Sequence, residues 1–401
     1  MARDYSPTHF FLRVPNRLLG RYFHERHGVL QEIDFTRLDE NRNAAEAIFQ
    51  AVLGLDDTQQ AQIEAECQEV EGMAFHGGVT ALIEEATNYP HHDLTFPEAI
   101  NQFDGEHAKA MWTYLEHPRY WLAATSILHA QNIADSFWKR RNDLPHLPPV
   151  VEQADADRLG EALRAYFRER EGRGRHSKVD VFRRGEKEYF FAYLSNFGQS
   201  DAEWEGNTLA LRARLPAFEI IFVYSQTDGT LDIYAPGNTK YVGELQKIFA
   251  NIILGLDDLD DFAGGEGAYN LDPLADRDFV FTPPEGSGIE SVVIRRLRLS
   301  LMSGGKRRVT VEAETKNNPK AVYDVMDRLK LPHFRVTQAE IAATFTTPIP
   351  GTRTRGRTFT IGYPDSCNLR HEGRDGVLRK MLAASGIELM EPDTVEETVT
   401  T

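Results

Sequence analysis

SVVIRRLRLSLM (291–302) and KRRVTVEAE (306–314) flank Ser303-Gly304-Gly305, and their apolar residues fall at every second position. Period-two alternation around a glycine turn predicts two half-buried strands joined as a hairpin. NPKAVYDVMDRL (318–329) follows, a helix opened by Asn318 and Pro319. The same order then returns. FRVTQAEIAATFTT (334–347) and GRTFTIGYP (356–364) flank an arginine-rich loop, and RDGVLRKMLAASGI (374–387) is a closing helix that stops near Gly386. Hairpin, helix, hairpin, helix is a duplication of architecture, without close sequence identity between the copies. It predicts a ββαββα domain with a four-stranded antiparallel sheet, both helices on one face and the other face solvated. A winged helix with TQAEIAATF as recognition helix is the competing reading. Against it, Thr337, Ala339, Ile341, Ala343 and Phe345 alternate at period two, and Thr344, Thr346 and Thr347 favour strand.

Upstream, residues 151–287 predict a second α+β domain. It holds a helix (DADRLGEALRAYFRERE), the paired runs KVDVFRR and EKEYFFAYL, the pair FEIIFVYSQ and TLDIYAP around Asp228-Gly229, and the helix TKYVGELQKIFANIILGL. Asp-Gly between alternating apolar runs is a hairpin signal because both residues adopt positive φ cheaply. Residues 1–150 read as helical. NAAEAIFQAVLGL (43–55) has one apolar face, and PRYWLAATSILHAQNIADSFWKRR (118–141) predicts one long helix starting at Pro118. LPHLPPV (144–150) cannot continue a helix, so the first boundary is placed there. The expected organisation is therefore α+β: a helical domain 1–150, an α+β domain 151–287, a basic ββαββα domain 288–390 and an acidic flexible tail 391–401.

A chain of 401 residues is long enough for two or three cores. Its longest apolar run, AFEIIFVY (217–224), is far shorter than the ~20 residues of a membrane helix, and no signal-peptide pattern opens the sequence. Cys67 and Cys367 lie far apart and read as free thiols. These features together predict a cytoplasmic protein.

Charge points to function. The chain carries -16 overall, yet residues 290–380 hold 18 Lys and Arg against 9 Asp and Glu, a balance of +9 that leaves -25 elsewhere. In PIPGTRTRGRTFTIGYP (348–364), Arg353, Arg355 and Arg357 sit on alternate positions, and Lys306, Arg307 and Arg308 lie at the other hairpin turn. With the two tips on one rim, these six residues would form a single basic strip for phosphate, since arginine forks onto phosphate and charge neutralisation dominates nucleic-acid binding. The expectation is a non-catalytic adaptor or sensor that binds a polyanion, DNA or RNA, alongside a protein partner or a second copy. Charged hairpins that merely protect sheet edges are the plainer alternative.

An enzymatic alternative is a divalent-metal nuclease using Glu312, Glu314 and Lys316, a Glu-x-Lys at a strand end. A third is a structural subunit, with Trp112, Trp121, Trp138 and Trp204 as interface candidates. No cofactor motif is present. SGGKRR lacks the Ser or Thr and the helix of a P-loop, and FAGGEGAYN lacks the strand-to-helix setting of a dinucleotide site. Ten of the 13 histidines lie in the first 146 residues, but YFHERH spaces His24 and His27 by three rather than four. No spacing links them to His91, His92 and Asp93, so no metal ligand is assigned.

Overall fold

In the computed structural model the described residues are 5–88, 91–133, 138–237, 239–260, 267–302, 307–348 and 354–389. They form an N-terminal run of helices followed by alternating antiparallel strands and helices, the expected α+β class. The chain divides into two compact units. One comprises residues 1–132, 182–185 and 197–216; the other comprises 133–181, 186–196 and 217–401.

The first unit contains α1 (Pro7–Arg13), α2 (Asn16–Gly20), a π-helical turn (Arg21–Arg26), α3 (Arg42–Leu53), α4 (Asp57–Met73), α5 (His76–Thr87), α6 (Phe96–Ile100), α7 (Glu106–Glu116) and α8 (Pro118–Asn132). Asn41 and Asp56 start α3 and α4 by accepting the Ala44 and Gln59 amides, each cap worth about 1 kcal/mol. The apolar faces meet in one cluster that includes Phe10, Phe23, Ile48, Val70, Leu82, Phe96 and Met111.

The second unit holds two five-stranded sheets. The first has order β1-β7-β6-β3-β2, from β1 (Trp138–Arg141), β2 (Ser177–Arg184), β3 (Lys187–Ser195), β6 (Ala217–Ser225) and β7 (Thr230–Tyr234). Leu159, Leu163 and Phe167 of α9 (Gln153–Glu171) and Leu245, Phe249 and Ile253 of α10 (Val242–Leu254) pack on Phe190, Phe222 and Ile233. Tyr189, Phe191 and Ile221, on the opposite face, are also buried, which explains why these strands read as near-continuous apolar runs. Gly229 turns β6 into β7 at φ +61°, and a Cβ there would lie 2.5 Å from the Leu144 carbonyl oxygen. Only glycine meets both demands.

One expectation is corrected here. The long helix 118–141 ends at Asn132, and Trp138–Arg141 is instead a strand paired with β7 from Trp138↔Tyr234 to Arg141↔Leu231. Two strands also lie in a stretch for which no element was expected: β4 (Gln199–Glu205) and β5 (Thr208–Arg214) form a separate two-stranded ribbon.

The second sheet has order β12-β11-β10-β8-β9, with β8 (Ile289–Leu301), β9 (Arg307–Glu312), β10 (Phe334–Phe345), β11 (Gly356–Gly362) and β12 (Ser366–Cys367). The 334–345 segment is thus strand, not recognition helix. Val322 of α11 (Ala321–Leu329) and Leu378, Met381 and Leu382 of α12 (Gly373–Ala384) share a core with Leu297, Leu299, Ala339, Ile341 and Phe359. The tail 391–401 lies outside the described residues.

Candidate polyanion interface

Register decides which charged residues meet. β8 and β10 run antiparallel, from Leu301↔Phe334 to Ile289↔Phe345. The β8–β9 turn therefore leaves the Leu301 end of the sheet, and the β10–β11 loop leaves the Phe345 end. Thirteen residues of strand at ~3.3 Å each separate those two ends of the sheet by about 40 Å. Arg307 and Arg308 therefore lie at the opposite end of the sheet from Arg355 and Arg357, so these four described residues do not share one rim.

The named residues fare differently. Arg353 and Lys306 lie outside the described residues, and Arg355 is exposed beside β11. Arg357 is occupied: its Nε and Nη2 donate to both oxygens of Asp375 at 2.9–3.2 Å, and Nη2 also donates to the Asn368 carbonyl at 3.0 Å. It ties β11 to α12. Arg307 and Arg308 are exposed on β9, an edge strand.

A second arrangement emerges on the sheet face away from the helices. Residues opposite one another share a face, so Arg298 joins Thr310 and Gln338, Ser300 joins Arg308, and Arg296 joins Glu312 and Glu340. Arg296 is taken by Glu340 at 2.6 Å, with Glu312 at 3.8 Å. Arg335, opposite Ser300, is held by Asp272 and stacks on the Tyr363 ring. Arg298 and Arg308 are diagonal neighbours, both exposed, and neither has a carboxylate partner among the described residues. Two like charges at diagonal spacing repel unless an anion bridges them. Ser300 and Thr310 lie opposite them and add hydroxyl donors. Arg298 is not among the six residues expected from sequence to form the strip; the register singles it out.

The nuclease residues do not converge. Glu312 is exposed and faces Arg296, and Glu314 accepts the Lys316 backbone amide at 3.2 Å. Neither belongs to a group of converging metal ligands among the described residues.

A further set of strongly perturbed ionisable groups lies elsewhere and is largely buried. Arg140 of β1 donates to Asp232 of β7 and to Glu388, all three buried. His371 Nδ1 stands 3.2 Å from Asp232 Oδ2. Arg379 donates to the Leu369 and Arg370 carbonyls, and Lys187 to the His371 carbonyl at 2.8 Å. Burial alone would raise the Asp232 carboxyl, but Arg140, Arg379 and His371 outweigh it and hold it well below the usual range. Burial pushes His371 down to about 4 against the pull of Asp232, and burial with the nearby Arg379 and Arg140 pushes Lys187 down to about 8. These groups join the two sheets.

No protein-family model matches the chain, and no curated protein matches it in sequence.

Proposed function

We propose that this protein binds the phosphate backbone of a nucleic acid through the open face and edge of its C-terminal sheet. Arg298, Arg308 and Arg307 make the contacts, and Ser300 and Thr310 add hydroxyl donors. The observation that carries the reading is the diagonal Arg298–Arg308 pair, which lacks carboxylates on a face where the neighbouring Arg296 and Arg335 have them. Arg355 lies beside β11 at the opposite end of the sheet from Arg307 and Arg308. The helical unit then serves as a partner-binding or self-association module, the adaptor role expected from sequence. No described helix is long and apolar enough to cross a membrane.

Fluorescence anisotropy with single-stranded RNA and duplex DNA over a salt series tests this. Each phosphate contact contributes about 0.9 to the slope of log K against log salt. Replacing Arg298, Arg307 and Arg308 together by alanine is expected to weaken binding and to lower that slope by about 2 to 3. Wild-type protein with no salt-sensitive affinity for either polymer overturns the reading.

A further inference from the structure

The helical unit gathers two histidines and a glutamate that are distant in sequence. His9 lies on α1, Glu71 on the last turns of α4 and His107 on the first turn of α7. One ligand atom from each lies within 4.8 Å of the other two. His107 Nε2 is 2.8 Å from Glu71 Oε2, and the His9 and His107 rings meet edge to face at 6.0 Å. All three residues are half-buried, closed enough to be ordered and open enough to admit an ion. We propose that His9, Glu71 and His107 bind a divalent transition metal of the zinc class.

Donor chemistry and spacing both fit. Two imidazoles and a carboxylate suit zinc, iron, cobalt or nickel rather than magnesium or calcium. Metal–ligand bonds of about 2.0–2.2 Å in a tetrahedral set place ligand atoms about 3.3 Å apart, inside the spread seen here. Three protein ligands leave a fourth position for water or a small ligand, the pattern of reactive rather than purely structural sites. The His107–Glu71 hydrogen bond needs no third member, yet His9 stands beside it without a hydrogen-bond partner of its own among the described residues.

Zinc titrated calorimetrically into chelator-treated full-length protein is expected to bind at one site per chain, and cobalt to give the intense visible absorption of a tetrahedral centre. His9→Ala is expected to weaken zinc binding at least about tenfold. His107→Gln, which keeps a hydrogen bond to Glu71, should do the same with an unchanged circular dichroism spectrum. Failure of the wild type to take up zinc, or uptake indifferent to both variants, overturns the site.

A different observation carries a second inference. The β4–β5 ribbon is amphipathic: Trp204 pairs with Leu209, Ala202 with Leu211 and Ser200 with Ala213, so one face carries no charge. The reverse face bears the Arg212–Glu205 and Arg214–Glu203 ion pairs. On the apolar face Trp204 is 70%, Leu209 57% and Leu211 77% exposed. That amounts to about 500 Å² of uncovered apolar surface, as large as the biggest patch of a typical monomer. A two-stranded ribbon is marginal alone and gains from a second layer. We infer that a second copy of this chain supplies it, the two ribbons stacking face to face about a two-fold axis. The uncharged face is self-complementary despite a chain charge of -16, and doubling its area reaches the roughly 1,000 Å² of a specific interface. Sedimentation equilibrium is expected to show a wild-type dimer and a folded Leu211→Glu monomer. A wild type that stays monomeric, or a Leu211→Glu dimer, overturns the inference.

Discussion

Arg140→Met is expected to destabilise the second unit by about 3–5 kcal/mol, the cost of stranding buried charges that have lost their partner. Arg140 is 5% exposed and its two partners, Asp232 and Glu388, 3% each. Its Nε and Nη1 serve one carboxylate apiece, linking β7 of the first sheet to the segment that follows α12 of the second. The surrounding cations do not replace it. Arg379 spends its donors on the Leu369 and Arg370 carbonyls, and Lys187 on that of His371. Methionine keeps most of the volume and none of the charge, leaving the buried Asp232 and Glu388 carboxylates without the partner they share. Urea unfolding followed by tryptophan fluorescence measures the loss, with Trp138 beside the network as reporter. Adding Glu388→Leu to Arg140→Met should recover part of it, since removing a buried charge with its partner costs far less than removing one member. A single variant within about 1 kcal/mol of wild type would show that these ion pairs do not hold the sheets together.

The same network shows why some of this fold was readable in the sequence and some was not. The ββαββα unit was legible because its strands have one wet and one dry face, so alternation survives in residues such as Ala339, Ile341, Ala343 and Phe345. β1 was not, because WKRR carries three cations and continues an apolar helical stripe from Trp121. What makes it a strand is tertiary: Asp232 and Glu388, distant in sequence, neutralise Arg140. The β4–β5 ribbon did leave a signal, since Ala202, Trp204, Leu209 and Leu211 alternate around the two-residue turn Gly206-Asn207. The site residues divide similarly. The surplus of arginine was visible in composition, but whether a given arginine faces solvent or a carboxylate depends on register. Arg357 and Arg355 are two residues apart and only one is engaged by Asp375. His9, Glu71 and His107 share no local spacing at all, and only the packing of three helices brings them together.

Acidification is expected to unfold the second unit well before its ordinary carboxylates protonate, through His371. Burial holds this ring neutral, with its pKa near 4 rather than 6.5. The unfolded chain therefore takes up a proton between pH 6.5 and 4 that the folded one refuses. Stability contributed by the neutral ring is intact above pH 6.5 and is lost progressively as pH falls to about 4, on the order of 3 kcal/mol. Asp232 pulls the other way on the ring but not on the outcome, because its own depressed carboxyl withdraws stability only below about 3.8. Arg379 and Lys187 lie close to the ring and reinforce the refusal. Lys187 adds an alkaline counterpart: its pKa is lowered to about 8, so stability rises as pH goes from there towards 10.5. Urea midpoints measured from pH 7.5 to 4.5 should decline steadily in the wild type. His371→Gln, which cannot titrate, should flatten that decline whatever its stability at neutral pH, since the lost Trp138 contact shifts the curve without changing its slope. An equally steep decline in His371→Gln would assign the acid response to other groups.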